Sequence, residues 1–548
     1  MRSIIICARL RNHFHWPTIS ARKHHIQIAA STARKIQQIH IGNTKRFYSN
    51  QGWNKDDTFF RFTRSRFLRD EAKELAQRYV KFDVNELAET AARISGPGTR
   101  KCIKIEKMAD GLYSKALLLT MDDGVQVIGK VPNPNAGIPH FTTASEVATM
   151  DFVSDINRIY EVILTARDRQ PGWGRIYHYG KDTLETLWNK LDIEMKVNIV
   201  KEIAGYQRDW TLTSFSEYGS IYYKEDIPNA TCLTYTNKNG KQVTDDRFTI
   251  GPSTSRQNFD DGRASVKFDK AFSPLDYVKA AGYREMECIT QMPKLPKSPI
   301  GLYGPQTYRP SKEKKIRALQ AYMEVVDRLL PDDKSIKGSH LWHNDLHAEN
   351  IFVNPDNPSE ICGIIDWQTT ELAPLYDHTI EPYFLEYQGP RMTGDLLQQP
   401  DIKEIQKLFE DDKELAASEK KRKAESLFWR MALVSLWRNT LHMGIEPLFR
   451  ALEFRETVRH TQQFKKGFPY EFTPDELEVI DSDCEGAANG INIMGDVKEA
   501  VGSHFFRVDG TVDHEDYDEV KELIQLTKAD FMSKYPENEE ERKEWEAA

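Results

Sequence analysis

The stretch that decides the fold is His343-Asn344-Asp345-Leu346-His347-Ala348-Glu349-Asn350-Ile351-Phe352-Val353, followed by Ile364-Ile365-Asp366-Trp367. Two carboxylates and an amide stand in fixed order around a short hairpin. The apolar pair Ile364-Ile365 predicts a buried strand with Asp366 at its exposed end. Phosphoryl transfer from ATP needs such a set. One carboxylate orients the attacking hydroxyl and accepts its proton. A second carboxylate and an amide oxygen hold magnesium on the phosphates. Asp345 suits the first role; Asn350 and Asp366 suit the second. His343 reads as a packing and hydrogen-bonding residue of the loop, and Trp367 as core. His347 has no second histidine at helical ligand spacing, which argues against zinc.

The upstream residues agree in order. Val125–Val131 reads as a strand with one lysine, Lys130, among apolar neighbours. Glu146 follows in the first turn of a helix expected to open at Thr143 and run to about Asn157. A lysine that grips phosphates needs a carboxylate to orient it. Lys130 and Glu146 fit that pair; a surface lysine on an edge strand and a helix-capping glutamate is the alternative. Cys102–Lys107 and Ser114–Met121 predict two further strands. Gly111 and Ser114, between them, occupy the place of a phosphate-covering loop, although a single glycine is a weak signal.

Residues 65–94 predict one helix, broken at 95–98. From 183 onward helical spacing dominates. Residues 225–312 are rich in Pro, Gly, Ser and Asn and read as an elaborated loop region. Helices are expected at 313–331, 402–416 and 420–460, with a charged helical tail.

Together these residues resemble the aminoglycoside phosphotransferase and choline kinase-like family, whose signature H-x-D-x-H-x-x-N followed by I-D-W is matched by HNDLHAEN and IIDW. The resemblance covers roughly residues 60 to 540. It implies an α+β, two-lobed protein-kinase-like fold: a small β-rich N-lobe with a five-stranded sheet, and a large helical C-lobe. It also implies an ATP-dependent phosphotransferase with an alcohol group as acceptor and Mg2+ as cofactor. By carry-over Asp345 is the base, Asn350 and Asp366 are the metal ligands, and Lys130 and Glu146 clamp the phosphates beside Gly111 and Ser114. The substrate is a small-molecule hydroxyl compound that the resemblance does not identify. The alternative is a catalytically weak or inactive kinase-fold binding or scaffold protein in mitochondrial maintenance. A protein kinase is disfavoured by the Trp after Asp366 and by the lack of an APE-type element.

Charge divides the 548-residue chain unevenly: residues 1–50 hold six Arg, three Lys and no acid, against 66 basic and 83 acidic residues in the remainder. An acidic body argues against a nucleic-acid binder. No run of 18 apolar residues is present, so no membrane span is expected. Six scattered cysteines without paired spacing suggest isolated thiols. The basic, acid-free head fits a mitochondrial transit peptide over residues 1–48, with Arg46-Phe47-Tyr48-Ser49 similar to a matrix-protease site. That makes the import machinery a partner and the matrix the destination; a basic arm for anionic lipid or nucleic acid is the alternative. The expected divisions are a helical extension (49–98), the N-lobe (99–182), the C-lobe (183–480, insertion 225–312) and the tail (481–548).

One stretch departs from the family. Residues 168–181, DRQPGWGRIYHYGK, read as strand-poor and unlike an adenine-binding hinge. Codons chosen for them and read one base later give TDNPVGAEYIIMEK, which is similar to the family's strand and hinge. We therefore expect about residues 162–181 to be translated out of frame; a divergent hinge, with impaired adenine binding, is the alternative. Sequencing the transcript across codons 158–185 tests this, and a transcript without a one-base offset ends the idea.

Overall fold

The computed structural model describes residues 52–94, 101–157, 163–164, 175–178, 182–266, 270–295, 301–354, 356–378, 381–385, 397–410, 415–444, 446–459, 472–502, 505 and 510–547. The basic head with its cleavage motif, the breaker at 95–98, and residues 162, 165–174 and 179–181 of the stretch expected to be out of frame, which holds most of the expected hinge, lie outside them.

Strands β1 (Cys102–Lys107), β2 (Ser114–Met121) and β3 (Gln126–Pro132) form an antiparallel meander. Along β2 burial alternates strictly, with Lys115, Leu117, Leu119 and Met121 inward, the period-2 pattern of a strand with one face on a core. That core is closed by helix α1 (Val84–Ile94), whose Val84, Leu87, Ala88 and Ala91 are buried at helical spacing. Gly129 permits the close approach: a Cβ there would lie 3.2 Å from both Leu119 and Leu87 side-chain carbons.

Within residues 168–181, read as strand-poor, the described residues Arg175–His178 form a strand. β4 (Ile163–Leu164) and β5 (Arg175–His178) complete a five-stranded sheet of order β1-β2-β3-β5-β4. β5 pairs with β3 from Val127↔His178 to Lys130↔Arg175. The open edge of β3 needs partners for its backbone groups, and this tertiary demand outweighs a turn-rich composition.

Other boundaries also move. The expected helix over 65–94 is two helices, Glu71–Arg78 and α1. The Asp83 carboxylate accepts the N–H groups of Asn85 and Glu86 and starts α1 afresh. Helix α2 (Phe141–Asn157) begins before Thr143 because the N–H of Thr142 and Ala144 already reach the carbonyls of Ile138 and His140. Glu146 therefore lies in its second turn, not its first.

In the helical C-lobe, β6 (Asp182–Thr183) leads into helices α3 (Leu184–Trp188) and α4 (Ile193–Leu212). Residues 225–312 are more than loops. Hairpin strands Leu233–Thr236 and Gln242–Asp245 turn through Gly240 at φ +74°, and an 18-residue helix spans Pro274–Gln291. Ser273 caps that helix by accepting the Asp276 N–H, and Pro274 opens it, so residues that resemble loop composition are start signals. Helix α5 (Lys312–Leu329) falls close to its expected place. β7 (Ile351–Asn354) and β8 (Asn357–Ile364) form the hairpin of the motif block, with β6 on the outer edge of β7. The expected helix over 420–460 divides into α6 (Ala417–Gly444) and Glu446–Arg459. Pro447, lacking an N–H, is tolerated only in the first turn of a new helix. Helix Ile402–Glu410 is shorter than expected.

The architecture is the two-lobed, α+β one expected. Its domain limits are less sharp: helix Pro474–Val501 runs through residue 480, where the tail was expected to begin. Beyond it, Thr511–Val512 pairs antiparallel with Arg66–Phe67. Among the described residues no helix is long and apolar enough to cross a membrane. The five described cysteines are unpaired.

The extension before α1 also ties down the β1–β2 hairpin. The buried Asp110 carboxylate accepts the Thr63 N–H at 2.7 Å and hydroxyl at 3.0 Å, and lies 2.8 Å from Lys107 Nζ. Asp110→Ala leaves that largely buried ammonium without its carboxylate. Urea unfolding should register a loss of about 3 kcal/mol or more; an unchanged midpoint would show that the tether is dispensable.

Candidate active site

Strand β3 buries Val127, Gly129 and Val131 on one face and turns Ile128 and Lys130 to the other. Lys130 Nζ donates to Asp366 Oδ1 at 2.7 Å and to Gln368 Oε1 at 3.2 Å, and approaches Glu146 Oε1 at 3.4 Å. Glu146, from α2, is 3% exposed. A carboxylate buried to that degree requires a cation or a proton, and Lys130 is the cation. Asp366 follows β8 with φ +65° and Thr369 with φ +51°. Left-handed conformations at non-glycine residues cost about 1 kcal/mol or more each, and such strain gathers at working sites.

The motif loop is stitched from within. The His343 Nε2–H donates to the Ile365 carbonyl at 2.8 Å, while its Nδ1 accepts the Asp345 N–H at 3.2 Å, and this pair of bonds sets the tautomer. Burial pushes the His343 imidazole down, against the opposing pull of the Ile365 carbonyl and nearby Asp345. The Asn350 Nδ2 donates to the Asp345 carbonyl at 2.8 Å, and the Ile365 N–H to the Asn350 carbonyl at 2.9 Å. Beneath lies an aromatic floor. Trp210 meets Trp342 and Trp367 edge to face at 5.9 and 5.2 Å, and His343 rests on Trp367 at 4.6 Å. Trp367 is buried, with its indole N–H on the Ile364 carbonyl.

Lys130, Glu146 and Asp366 thus converge across the lobes, and Asp345 and Asn350 share the adjoining loop. Gly111 and Ser114 stay on the β1–β2 hairpin, with Ser114 opposite Pro132. Among the described residues they make no hydrogen bond to the other five. The hairpin tip is held elsewhere: the Leu112 carbonyl accepts from Arg78 Nε at 3.0 Å and from Asn133 and Asn135 at 3.4 Å. Further along, Asp377 accepts from the Tyr277 hydroxyl and Glu381 from Arg438 Nε, both at 2.8 Å.

The donor set suits magnesium. Asn350 spends its NH2 group on the Asp345 carbonyl, which leaves the amide oxygen for a ligand, and the Asp366 carboxylate meets Lys130 through one oxygen. Hard oxygen donors of this kind fit a small divalent cation.

Two residues escaped the sequence reading. The His347 Nε2 lies 2.6 Å from Asp345 Oδ1, though not aligned as a hydrogen bond, and its ring stacks on Tyr383 at 4.7 Å and 13°. Gln368 is buried beside Lys130, with an amide nitrogen that lacks a hydrogen-bond partner among the described residues. For His347 the signal was its place in the H-x-D-x-H signature; for Gln368 it was the polar run Gln368-Thr369-Thr370-Glu371, which is buried against its composition.

Residues 304–380 match the phosphotransferase enzyme family. That span holds Asp345, Asn350 and Asp366; the N-lobe residues lie outside it. The resemblance drawn from the motif block is met here. The chain is 27% identical over 358 residues to a subtelomeric hrmA-associated cluster protein of Aspergillus fumigatus, covering 59% of this chain and 66% of that protein. It is 24% identical over 354 residues to the altered inheritance of mitochondria protein 9 of Yarrowia lipolytica, covering 58% and 59%. The chain thus spans somewhat less than two thirds of the length of these curated relatives. A solved ethanolamine kinase from Plasmodium vivax overlays with a TM-score of 0.30 at 11% identity, covering 71% of this chain and 92% of that one.

Within the matched span, just before the motif loop, His340 is buried with its Nδ1 3.1 Å from the Thr213 carbonyl. Burial lowers its imidazole to about 4, against the carbonyls of Thr213 and Thr211. The unfolded chain takes up this proton near pH 6.5 and the folded chain only near 4. Stability is therefore intact above pH 6.5 and falls as pH drops towards 4, by about 3 kcal/mol for this group. Urea unfolding at steps from pH 7 to 4 should show the decline, and His340→Gln should make it shallower; equal slopes would contradict the assignment.

Proposed function

We propose that this chain is a magnesium-dependent phosphotransferase that moves the ATP γ-phosphate to a hydroxyl of a small molecule. The observation that carries the reading is the meeting of Lys130 with Glu146 and Asp366, on separate lobes, beside the Asp345–Asn350 loop. Asp345 accepts the proton of the attacking hydroxyl and aligns its oxygen with the phosphorus. Asn350 and Asp366 hold magnesium, which when bound spreads the negative charge of the phosphates. Lys130, steadied by Glu146, exchanges its Asp366 contact for phosphate oxygens. Preorganised charge of this kind, aimed where charge develops, supplies most of the catalysis in such transfers. The backbone of Asp345 is held by His343 on its N–H and by Asn350 on its carbonyl, which fixes the residue that carries the base.

The acid-free head and the names of the relatives support a mitochondrial address, and we propose the matrix, reached through the import machinery after removal of residues 1–48. A second reading, a kinase-fold binding protein without turnover, is favoured by one observation. The single-glycine hairpin is pinned to Arg78, Thr63 and two asparagines rather than left free to cover phosphates.

Calorimetric titration with ATP and magnesium separates the two. Asp366→Ala should abolish magnesium-dependent ATP binding. Asp345→Asn should retain ATP binding while turnover, followed by metabolite profiling with labelled ATP, falls by a factor of about 100 or more. ATP binding without any phosphorylated product in the unaltered protein would select the second reading.

A further inference from the structure

Gln368 lies two residues beyond Asp366 and is 3% exposed. Its Oε1 accepts from Lys130 Nζ at 3.2 Å. Chemistry fixes that orientation of the amide, because an ammonium only donates and must face the oxygen. The NH2 group is therefore turned away from Lys130. Its nitrogen is buried and meets no acceptor among the described residues.

The turn that presents this side chain is a strained one. Asp366 at φ +65° and Thr369 at φ +51° bracket it in left-handed conformations. Between them Trp367 goes down into the aromatic floor, with its indole N–H on the Ile364 carbonyl, and Gln368 goes to Lys130. Three acceptors close by in the chain are engaged. The Thr370 carbonyl accepts from Ser220 Oγ at 2.8 Å, the Trp367 carbonyl from the Thr370 N–H at 3.3 Å, and Glu371 Oε2 from Ser253 Oγ at 2.7 Å.

A buried amide N–H without an acceptor gives up its hydration for nothing, and such groups are rare in folded chains. A ligand that brings an acceptor removes that loss. The surroundings define the ligand's chemistry. It must offer a lone pair, so a metal ion cannot serve. It must sit near the Lys130 ammonium, which favours a negatively charged oxygen. Charge also accounts for the residue type. Glu146 and Asp366 already place two carboxylates on one ammonium. A third at residue 368 would repel an incoming phosphate. Glutamine supplies an acceptor to Lys130, adds no charge and retains a donor.

We propose that the Gln368 amide nitrogen donates to a phosphate oxygen of the bound nucleotide, so that Gln368 grips the polyphosphate together with Lys130. This role rests on the nucleotide reading of the cleft and adds a neutral donor to its charged groups. In the empty protein Gln368 holds Lys130 by its oxygen. With phosphate bound, one amide spans the ammonium and the phosphate, accepting at one end and donating at the other. Lys130 thereby keeps a fixed partner while its Asp366 contact is exchanged.

The test is calorimetric titration of the full chain with magnesium and ATP, and with magnesium and tripolyphosphate, which lacks the adenosine. Gln368→Glu keeps an oxygen for Lys130 and removes the donor. It should bind both ligands about tenfold to a hundredfold more weakly, the range expected for a hydrogen bond to a charged group. Its thermal unfolding without ligand should show a midpoint equal to or above that of the unaltered protein, since a carboxylate meets the ammonium and no amide N–H is left without an acceptor. Gln368→Met, with neither charge nor donor, should lose about tenfold in affinity, which separates loss of the donor from added repulsion. A glutamine that serves only the fold gives the opposite pattern, a lower midpoint with affinity unchanged. Where Gln368→Met folds poorly, magnetic resonance of the unaltered protein decides. With isotope-labelled glutamine side-chain nitrogen, the NH2 signal absent from Gln368→Glu should move downfield on addition of magnesium and tripolyphosphate. Unchanged affinity in Gln368→Met, or an NH2 signal that ligand does not move, would overturn the proposal and leave the nucleotide reading standing. Tripolyphosphate binding that weakens in Gln368→Glu, in a protein that does not bind ATP, would support the phosphate contact and end the nucleotide reading. Binding of neither ligand to the unaltered protein would end both.

Discussion

One ammonium group couples the lobes. Lys130 leaves the N-lobe sheet and meets Glu146 from the helix behind it and Asp366 from the far lobe. None of the three could sit in this cleft alone, since a buried charge stripped of its partner costs several kcal/mol. The arrangement is therefore mutual: the sheet must hold β3 in register, α2 must deliver Glu146, and the β7–β8 hairpin must end at residue 366. The rest of the structure can be read as support for these three placements. α1 braces the sheet through the gap at Gly129, and the backbone bonds among His343, Asn350 and Ile365 fix the loop beside Asp366.

Beneath the polar cluster the C-lobe is dry and aromatic. Trp210, Trp342, Trp367 and Trp437 are all almost completely buried, and the Trp437 indole N–H bonds to Gln207 at 2.7 Å between α6 and α4. Large rings with few rotatable bonds lose little entropy on ordering, so they make a stiff floor for a loop whose side chains must keep their places. His343 joins the two regimes. Its ring meets Trp367 in a T-shaped contact, and both nitrogens serve the backbone of the site.

The sequence revealed the elements whose signals are local and strong. The β2 alternation, the α5 stripe and the motif loop are each specified by residue type and spacing alone. Less was visible where tertiary partners decide. β5 exists because β3 offers an edge, although Pro171, Gly172 and Gly174 precede it. The helix at Pro274 was hidden because Ser and Pro are loop residues and helix starters alike. Glu146 was placed one turn early because Thr143 looks like a cap, while the helix nucleates on the carbonyl of Ile138. Gln368 escaped because its contact with Lys130 joins segments whose approach no single-chain pattern encodes, whereas His347, two residues from Asp345, was weighed only as a metal ligand.

The strand at Arg66–Phe67 finds its partner in Thr511–Val512, almost the whole chain later, with the Arg66 guanidinium 3.7 Å from the Tyr517 ring centre. A polypeptide made, or threaded through a pore, from its N-terminus holds that first strand unpaired until nearly the last residues arrive. The extension that pins the β1–β2 hairpin is itself anchored by this late pairing. Acquisition of the N-lobe's final form is thus timed by the far end of the chain, and a product cut short before residue 511 would carry the whole motif block yet never clasp its own beginning.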